Sequence, residues 1–157
     1  MHTIGATMAH RRVSGLVDPV LEFIRLMWSV DHELQRVSKR MVTRMGLTAP
    51  QRLAVRFIGV RPGLSPGMLA DLLHLHPGTV TGIMRQLEHA GLIRISRSEQ
   101  DTRRLHLELT AAGRAMNRRR TGTVEAAVRR VVEGLPPARL QQASQTLRRL
   151  AEELAAE

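Results

Sequence analysis

Residues 76–93 read His76-Pro-Gly-Thr-Val-Thr-Gly-Ile-Met-Arg-Gln-Leu-Glu-His-Ala-Gly-Leu-Ile93, and this stretch decides the fold. Val80, Ile83, Met84 and Leu87 recur every three to four residues, so a helix over 77–90 buries one apolar stripe. Pro77 suits its first turn and Gly91 closes it. Its other face carries Gly78, Thr79, Thr81, Gly82, Arg85 and Gln86. That face suits the major groove of a duplex. Glycine permits close approach, a threonine methyl can meet a thymine methyl, and Arg85 and Gln86 can donate to base edges. The helix N-terminus aims N–H groups and a partial positive charge at phosphate. An ordinary amphipathic helix with small polar residues outside has the same pattern, so the neighbouring segments must decide.

Upstream, Ser65 before Pro66 is an N-cap followed by a first-turn proline. Met68, Leu69, Leu72 and Leu73 form a short third helix. The tight break at 74–78 joins it to the stretch above as a helix-turn-helix. Thr48-Ala-Pro-Gln51 reads as a capping box opening a mostly buried second helix through Val60. The spacing of Leu16, Val20, Ile24, Met27, Leu34, Val37, Met41 and Met45 predicts a long first helix from Leu16, ended by Gly46. Residues 1–15 lack periodicity and read as a flexible arm.

Downstream the period changes to two. Ile93 and Ile95 alternate with polar residues, as do Leu105, Leu107 and Leu109, so two short antiparallel strands are expected. The loop between them holds Arg97, Asp101, Arg103 and Arg104. An extended basic loop there suits a DNA-binding wing, because the minor groove attracts arginine. Asp101 repels phosphate and makes sense as an anchor for an arginine. Thr110 caps a long fifth helix running to about Glu133. Pro136-Pro137 open a sixth, where Leu140, Ala143, Leu147, Leu150 and Leu154 follow a 3,4,3,4 seam typical of helix pairing. A winged core offers that seam no partner. A two-fold dimer would bury it and set two reading helices about 34–36 Å apart, one duplex turn.

Composition narrows the function. The chain has 157 residues, one domain's worth, and a formal charge of +10, with Lys39 as its only lysine. That charge favours polyanions but is spread along the chain, so it does not locate a site. With no cysteine, disulfides, thiolate zinc sites and catalytic thiols are excluded. Only Trp28, Phe23 and Phe57 are aromatic, which argues against base stacking on single strands. No apolar run spans a bilayer and no secretory leader is evident, so a cytoplasmic location without membrane association is expected. His74 and His76 form an H-x-H pair with no completing carboxylate, so neither metal nor cofactor is expected. No catalytic carboxylate pair, nucleophile triad or phosphate-cradling loop is present, which argues against an enzyme.

Together, His76 to Glu88, Gly91-Leu-Ile93, Asp101-Thr-Arg103 and Leu109-Thr-Ala-Ala-Gly113 resemble the multiple antibiotic resistance regulator (MarR) family over about residues 16–155. The resemblance implies a mainly α fold with a small β-hairpin, a winged helix-turn-helix (48–110) flanked by dimerisation helices (16–46 and 111–157). It implies a homodimeric regulator of transcription on a pseudo-palindromic duplex, commonly a repressor released by a small molecule. By position, Thr79, Thr81, Gly82 and Arg85 become recognition contacts, Arg103 the wing arginine and Asp101 its partner. Ser65 caps a helix that approaches phosphate. His76-Pro77-Gly78 departs from the usual Ser or Thr cap, and histidine is a poorer N-cap.

For an effector, the residues themselves suggest Trp28 and His32, one turn apart, with Arg56 supplying charge to a planar anion. A tryptophan packed in the core is the plainer alternative. Arg118-Arg119-Arg120 read as a solvated face of the fifth helix. A non-specific architectural DNA binder is the competing function.

Overall fold

A computed structural model describes residues 18–97 and 104–157. The long first helix, α1, spans Pro19–Met45. The Asp18 carboxylate caps it by accepting from the Val20 N–H at 2.7 Å, and Pro19 fills the first turn; Leu16, where the apolar spacing starts, lies outside the described residues. Gly46, at φ +72°, ends it in the left-handed region that disfavours side chains. Thr48 and Gln51 form the expected capping box for α2 (Ala49–Val60). Ser38 on α1 accepts from the Ala49 N–H at 2.9 Å and fixes where α2 departs.

α3 (Pro66–Leu73) and α4 (Pro77–His89) follow, joined by a turn in which His74 adopts φ +50°. The Leu75 N–H reaches back to the Ala70 carbonyl at 3.2 Å, which closes the turn tightly enough to set the two helices at an angle. The hairpin pairs β1 (Ile93–Arg97) with β2 (Leu105–Leu109), with Ile93 opposite Leu109 and Arg97 opposite Leu105. Leu64, before α3, adds a bridge to Leu107 and anchors the hairpin against the helix pair. The buried core lies here. Val55, Ile58, Leu64, Leu69, Val80, Leu87, Ile93 and Leu107 are all at most 2% exposed.

The Leu-Thr-x-x-Gly motif has a packing explanation. The Thr110 hydroxyl donates to the Gly91 carbonyl and accepts from the Gly113 N–H. A Cβ on Gly113 would stand 1.9 Å from the Leu92 carbonyl oxygen, so only glycine lets the next helix sit against the strand.

The expected long fifth helix is two helices. α5 (Ala111–Arg118) packs on α2 and β2, and α6 (Val124–Val132) packs on α1. Gly122 at φ +71° breaks the run, and Thr123, accepting from the Ala126 N–H, starts a new helix. The arginine run is therefore no helical face: Arg118 ends α5, while Arg119 and Arg120 lie in the break. α7 (Pro137–Ala156) completes the order. Among the described residues the protein is seven helices and one two-stranded hairpin, which is the mainly α, winged architecture expected. No described helix is long and apolar enough to cross a membrane.

Candidate nucleic-acid interface

α4 buries Val80, Ile83, Met84 and Leu87. Its opposite face leaves Gly78, Thr79, Gly82, Arg85 and Gln86 exposed and Thr81 half-buried. Two stripes result from the 3.6-residue period: Gly78, Thr81 and Arg85 on one, Thr79, Gly82 and Gln86 on the other.

His76 does cap this helix. Its Nδ1 accepts from the Gly78 N–H at 3.1 Å, which leaves Nε2 as the outward donor. Histidine here does the work of the more common serine by reaching two residues ahead. Gly78 suits this arrangement, since a Cβ there would come 3.3 Å from the capping nitrogen. Thr81 turns its hydroxyl back to the Pro77 carbonyl at 3.0 Å. Its proton is spent inside the helix, and a methyl and an oxygen lone pair remain for contact. Gly82 has nothing within 4 Å of where a Cβ would stand. Glycine inside a helix costs about 1 kcal/mol relative to alanine. Among the described residues no packing accounts for that cost at Gly82.

Gln86 is not a free side chain. Its Oε1 accepts from Gln51 Nε2, while Gln51 Oε1 accepts from the Thr48 N–H at 2.8 Å. The start of α2 is thereby wired to the exposed face of α4.

Ser65 caps α3 by accepting from the Met68 N–H at 3.2 Å. Beside it a concavity is lined by Gly63, Ser65, Met68, Arg104 and His106, so the start of β2 and the start of α3 share one surface. Arg97 and Arg104 are exposed at the two ends of the hairpin loop. Asp101 and Arg103 lie outside the described residues. On the hairpin itself, Arg94 pairs with Glu108 at 2.8 Å.

Arg52, which no motif singles out, belongs to this region. It is 1% exposed on α2, with Nε donating to Glu125 on α6 at 2.7 Å. Its other nitrogens donate to the carbonyls of Met116, Asn117 and Arg119, at the C-terminal end of α5. A guanidinium there opposes the negative end of the helix dipole and joins α2, α5 and α6 at one point. The signal was present: Arg52 stands three residues before Val55, on the buried face of its helix.

The suggested effector residues do not converge. Trp28 is 74% exposed in the single chain, so it is no core tryptophan there, and His32 beside it is exposed. Arg56 instead donates to Asn117 Oδ1 at 2.8 Å and lies 4.0 Å from Glu125. Burial, and the like charges of Arg120, Arg52 and Arg129, hold its pKa below the usual arginine value against the pull of Glu125. A cleft of about 510 Å³ opens elsewhere, between α1, α2 and α6. Leu34, Leu53, Leu73, Leu75 and Val128 line it, with Asp31 and Glu125 as its charged groups. Among the described residues no group of side chains could hold a metal ion.

Comparison with known proteins agrees with this geometry. The model of the MarR family matches residues 47–105, the segment from the start of α2 through the wing. The HTH-type transcriptional repressor Rv2887 of Mycobacterium tuberculosis is 33% identical over 110 residues, covering 70% of this chain and 79% of the relative. The organic hydroperoxide resistance transcriptional regulator of Bacillus subtilis is 30% identical over 88 residues, covering 56% of this chain and 60% of that one. Among solved structures, Rv2887 in complex with salicylic acid matches with 30% identity and a TM-score of 0.53, over 80% of this chain and 93% of that one. MepR of S. aureus in its DNA-binding conformation matches in fold, with a TM-score of 0.72 at 22% identity over 84% and 98% of the two chains. The winged fold, the family model over 47–105 and the extent of the match to Rv2887 together place this chain in the MarR family.

Proposed function

We propose that this protein is a homodimeric, sequence-specific DNA-binding regulator of transcription, acting as a repressor on a pseudo-palindromic operator. α4 enters the major groove with Thr79, Thr81, Gly82 and Arg85 toward the bases. The N-terminus of α3 at Ser65, the Nε2 of His76, and Arg97 and Arg104 meet the backbone. The hairpin loop, with Arg103 braced by Asp101, reaches the minor groove. The observation that carries this reading is Gly82 on the outward face of α4: like Gly67 on α3, it has open space where a Cβ would stand, which leaves room for an approaching surface.

Dimerisation is supported by the terminal helices. Leu147 and Leu154 are each 61% exposed and no residue of α7 is buried. Two copies joined through α1, α6 and α7 would cover these faces and give the operator its two-fold symmetry. A regulator of this kind works in the cytoplasm, beside the chromosome. Release by a small molecule fits the cleft beside Leu34 and Val128, and the Rv2887 relative is known in complex with salicylic acid and with p-aminosalicylic acid.

A footprint on the DNA flanking the gene tests the proposal. The expected result is one protected two-fold site with nanomolar binding that weakens steeply as salt rises. Equal affinity for random duplex would show a non-specific architectural binder instead. Repeating the footprint with salicylate, an aromatic anion, tests release.

A further inference from the structure

The cleft between α1, α2 and α6 is lined unevenly. α1 contributes Asp31, Gln35 and Ser38, which are spaced four and three residues apart and so share one stripe of the helix. Leu53 of α2, Leu73 of α3, Leu75 of the following turn and Val128 of α6 give it an apolar bed. No lysine, arginine or histidine lines it among the described residues; its charged groups are Asp31 and Glu125. These two carboxylates differ. Glu125 is answered from within the protein by Arg52 at 2.7 Å, and the other nitrogens of Arg52 are bonded to carbonyls at the end of α5. Arg56, 4.0 Å from Glu125, gives its hydrogen bonds to Asn117. Asp31 is exposed and has no ion-pair or hydrogen-bond partner among the described residues. An incoming molecule therefore meets one uncompensated negative charge beside an apolar bed. The volume, about 510 Å³, is that of a site for a drug-sized molecule.

We propose that the effector held in this cleft is an apolar cation, an aromatic amine with its ammonium against Asp31, and not an aromatic acid. An acid would bring its carboxylate beside Asp31 and Glu125 with no cation on the lining to receive it. An ammonium is attracted to Asp31, the more so where the apolar bed excludes part of the water. The net charge of +10 works the other way, since general electrostatics favours anions. A preference for the cation must therefore come from the local arrangement. This inference rests on the cleft being the effector site proposed above, and it adds the charge class of the effector.

The test is isothermal titration calorimetry of the full-length protein with tryptamine, tryptophol and indoleacetate. These share an indole ring and a two-carbon arm and differ in charge: positive, neutral and negative. The wild-type protein should bind tryptamine about tenfold more tightly than tryptophol, and indoleacetate most weakly. Asp31→Asn should bring tryptamine down to the level of tryptophol. Asp31→Lys should reverse the order and favour indoleacetate. Asp31 is exposed, so neither variant disturbs packing, and thermal melting checks this. In the operator footprint, tryptamine and not indoleacetate should clear the protected site. Indoleacetate binding as tightly as tryptamine in the wild-type protein would overturn the inference. So would an unchanged tryptamine preference in Asp31→Asn, no binding of any of the three, or tryptamine binding that leaves the footprint in place. If no operator site is protected even without ligand, the regulator proposal fails by itself, while the calorimetric order still decides the charge preference of the cleft.

Discussion

The winged middle of the chain and its terminal helices are built on different terms. Between Leu47 and Leu107 lie nearly all the fully buried apolar side chains, and α2 contacts α3, α4, α5 and β2 around them. In the terminal helices only Met41 is buried; α6 and α7 bury no apolar residue. Val30, Val131 and Leu154 are each at least 60% exposed there. The middle closes its own core. The ends carry the same kind of apolar stripe but, among the described residues, leave most of it exposed. Contiguous exposed apolar faces are rare on monomers and mark interaction sites, which fits the proposed second copy. The two regions meet at Arg52, whose guanidinium sits between α2, the end of α5 and Glu125 of α6.

That contrast can be broken at the junction first. Arg52→Ala leaves Glu125 without its closest cation and strips a cation from three carbonyls; breaking a buried pair costs about 3–5 kcal/mol. Urea denaturation should show that loss, and Arg52→Lys should recover only part of it because one ammonium cannot span the same acceptors. Next, the middle can be damaged alone. Leu87→Ala empties a fully buried site and should cost about 3 kcal/mol, read by the same titration, while sedimentation still reports a dimer. The reverse experiment is Leu147→Asp with Leu154→Asp. It should leave the secondary structure of the middle intact, give a monomer by sedimentation, and weaken operator binding about a hundredfold, or about 2.7 kcal/mol. A dimer that survives both charges would remove α7 from the interface. The smallest expected effect has two signs. Gly82→Ala should raise stability by about 1 kcal/mol in thermal melting, since nothing occupies the space above it. It should weaken operator binding about tenfold by direct titration, since the methyl meets the groove.

Much of the fold was legible because its signals are local. The caps at Thr48, Ser65 and Thr110, the stripe Val80-Ile83-Met84-Leu87 and the alternation in the hairpin each act within a few residues. The long helix expected over 110–133 failed on a local signal of the wrong rank. Gly122 before Thr123 was a stop and a start, outweighed by the apolar periodicity around it. The outward face of α4 was legible residue by residue, but not the state of its side chains. That Thr81 has spent its proton on Pro77, or that Gln86 is held by Gln51 across 35 positions, depends on where two helices are set. The effector residues fared differently again. Trp28 and His32 share a helix face, but Arg56 is drawn to Asn117 and Glu125, a partner choice settled by α5 and α6.

The sequence alone carried the element order as far as the hairpin, the helix-turn-helix, the family resemblance and the outward residues of α4. All follow from periodicity and capping, which are written along the chain. Only the packed chain shows that Arg52 is buried, that Gln86 on α4 is bonded to Gln51 on α2, and that Leu147 and Leu154 of α7 stay exposed among the described residues. Each depends on groups far apart in sequence arriving at one place, and hydrogen-bond polarity and burial exist only after they have arrived.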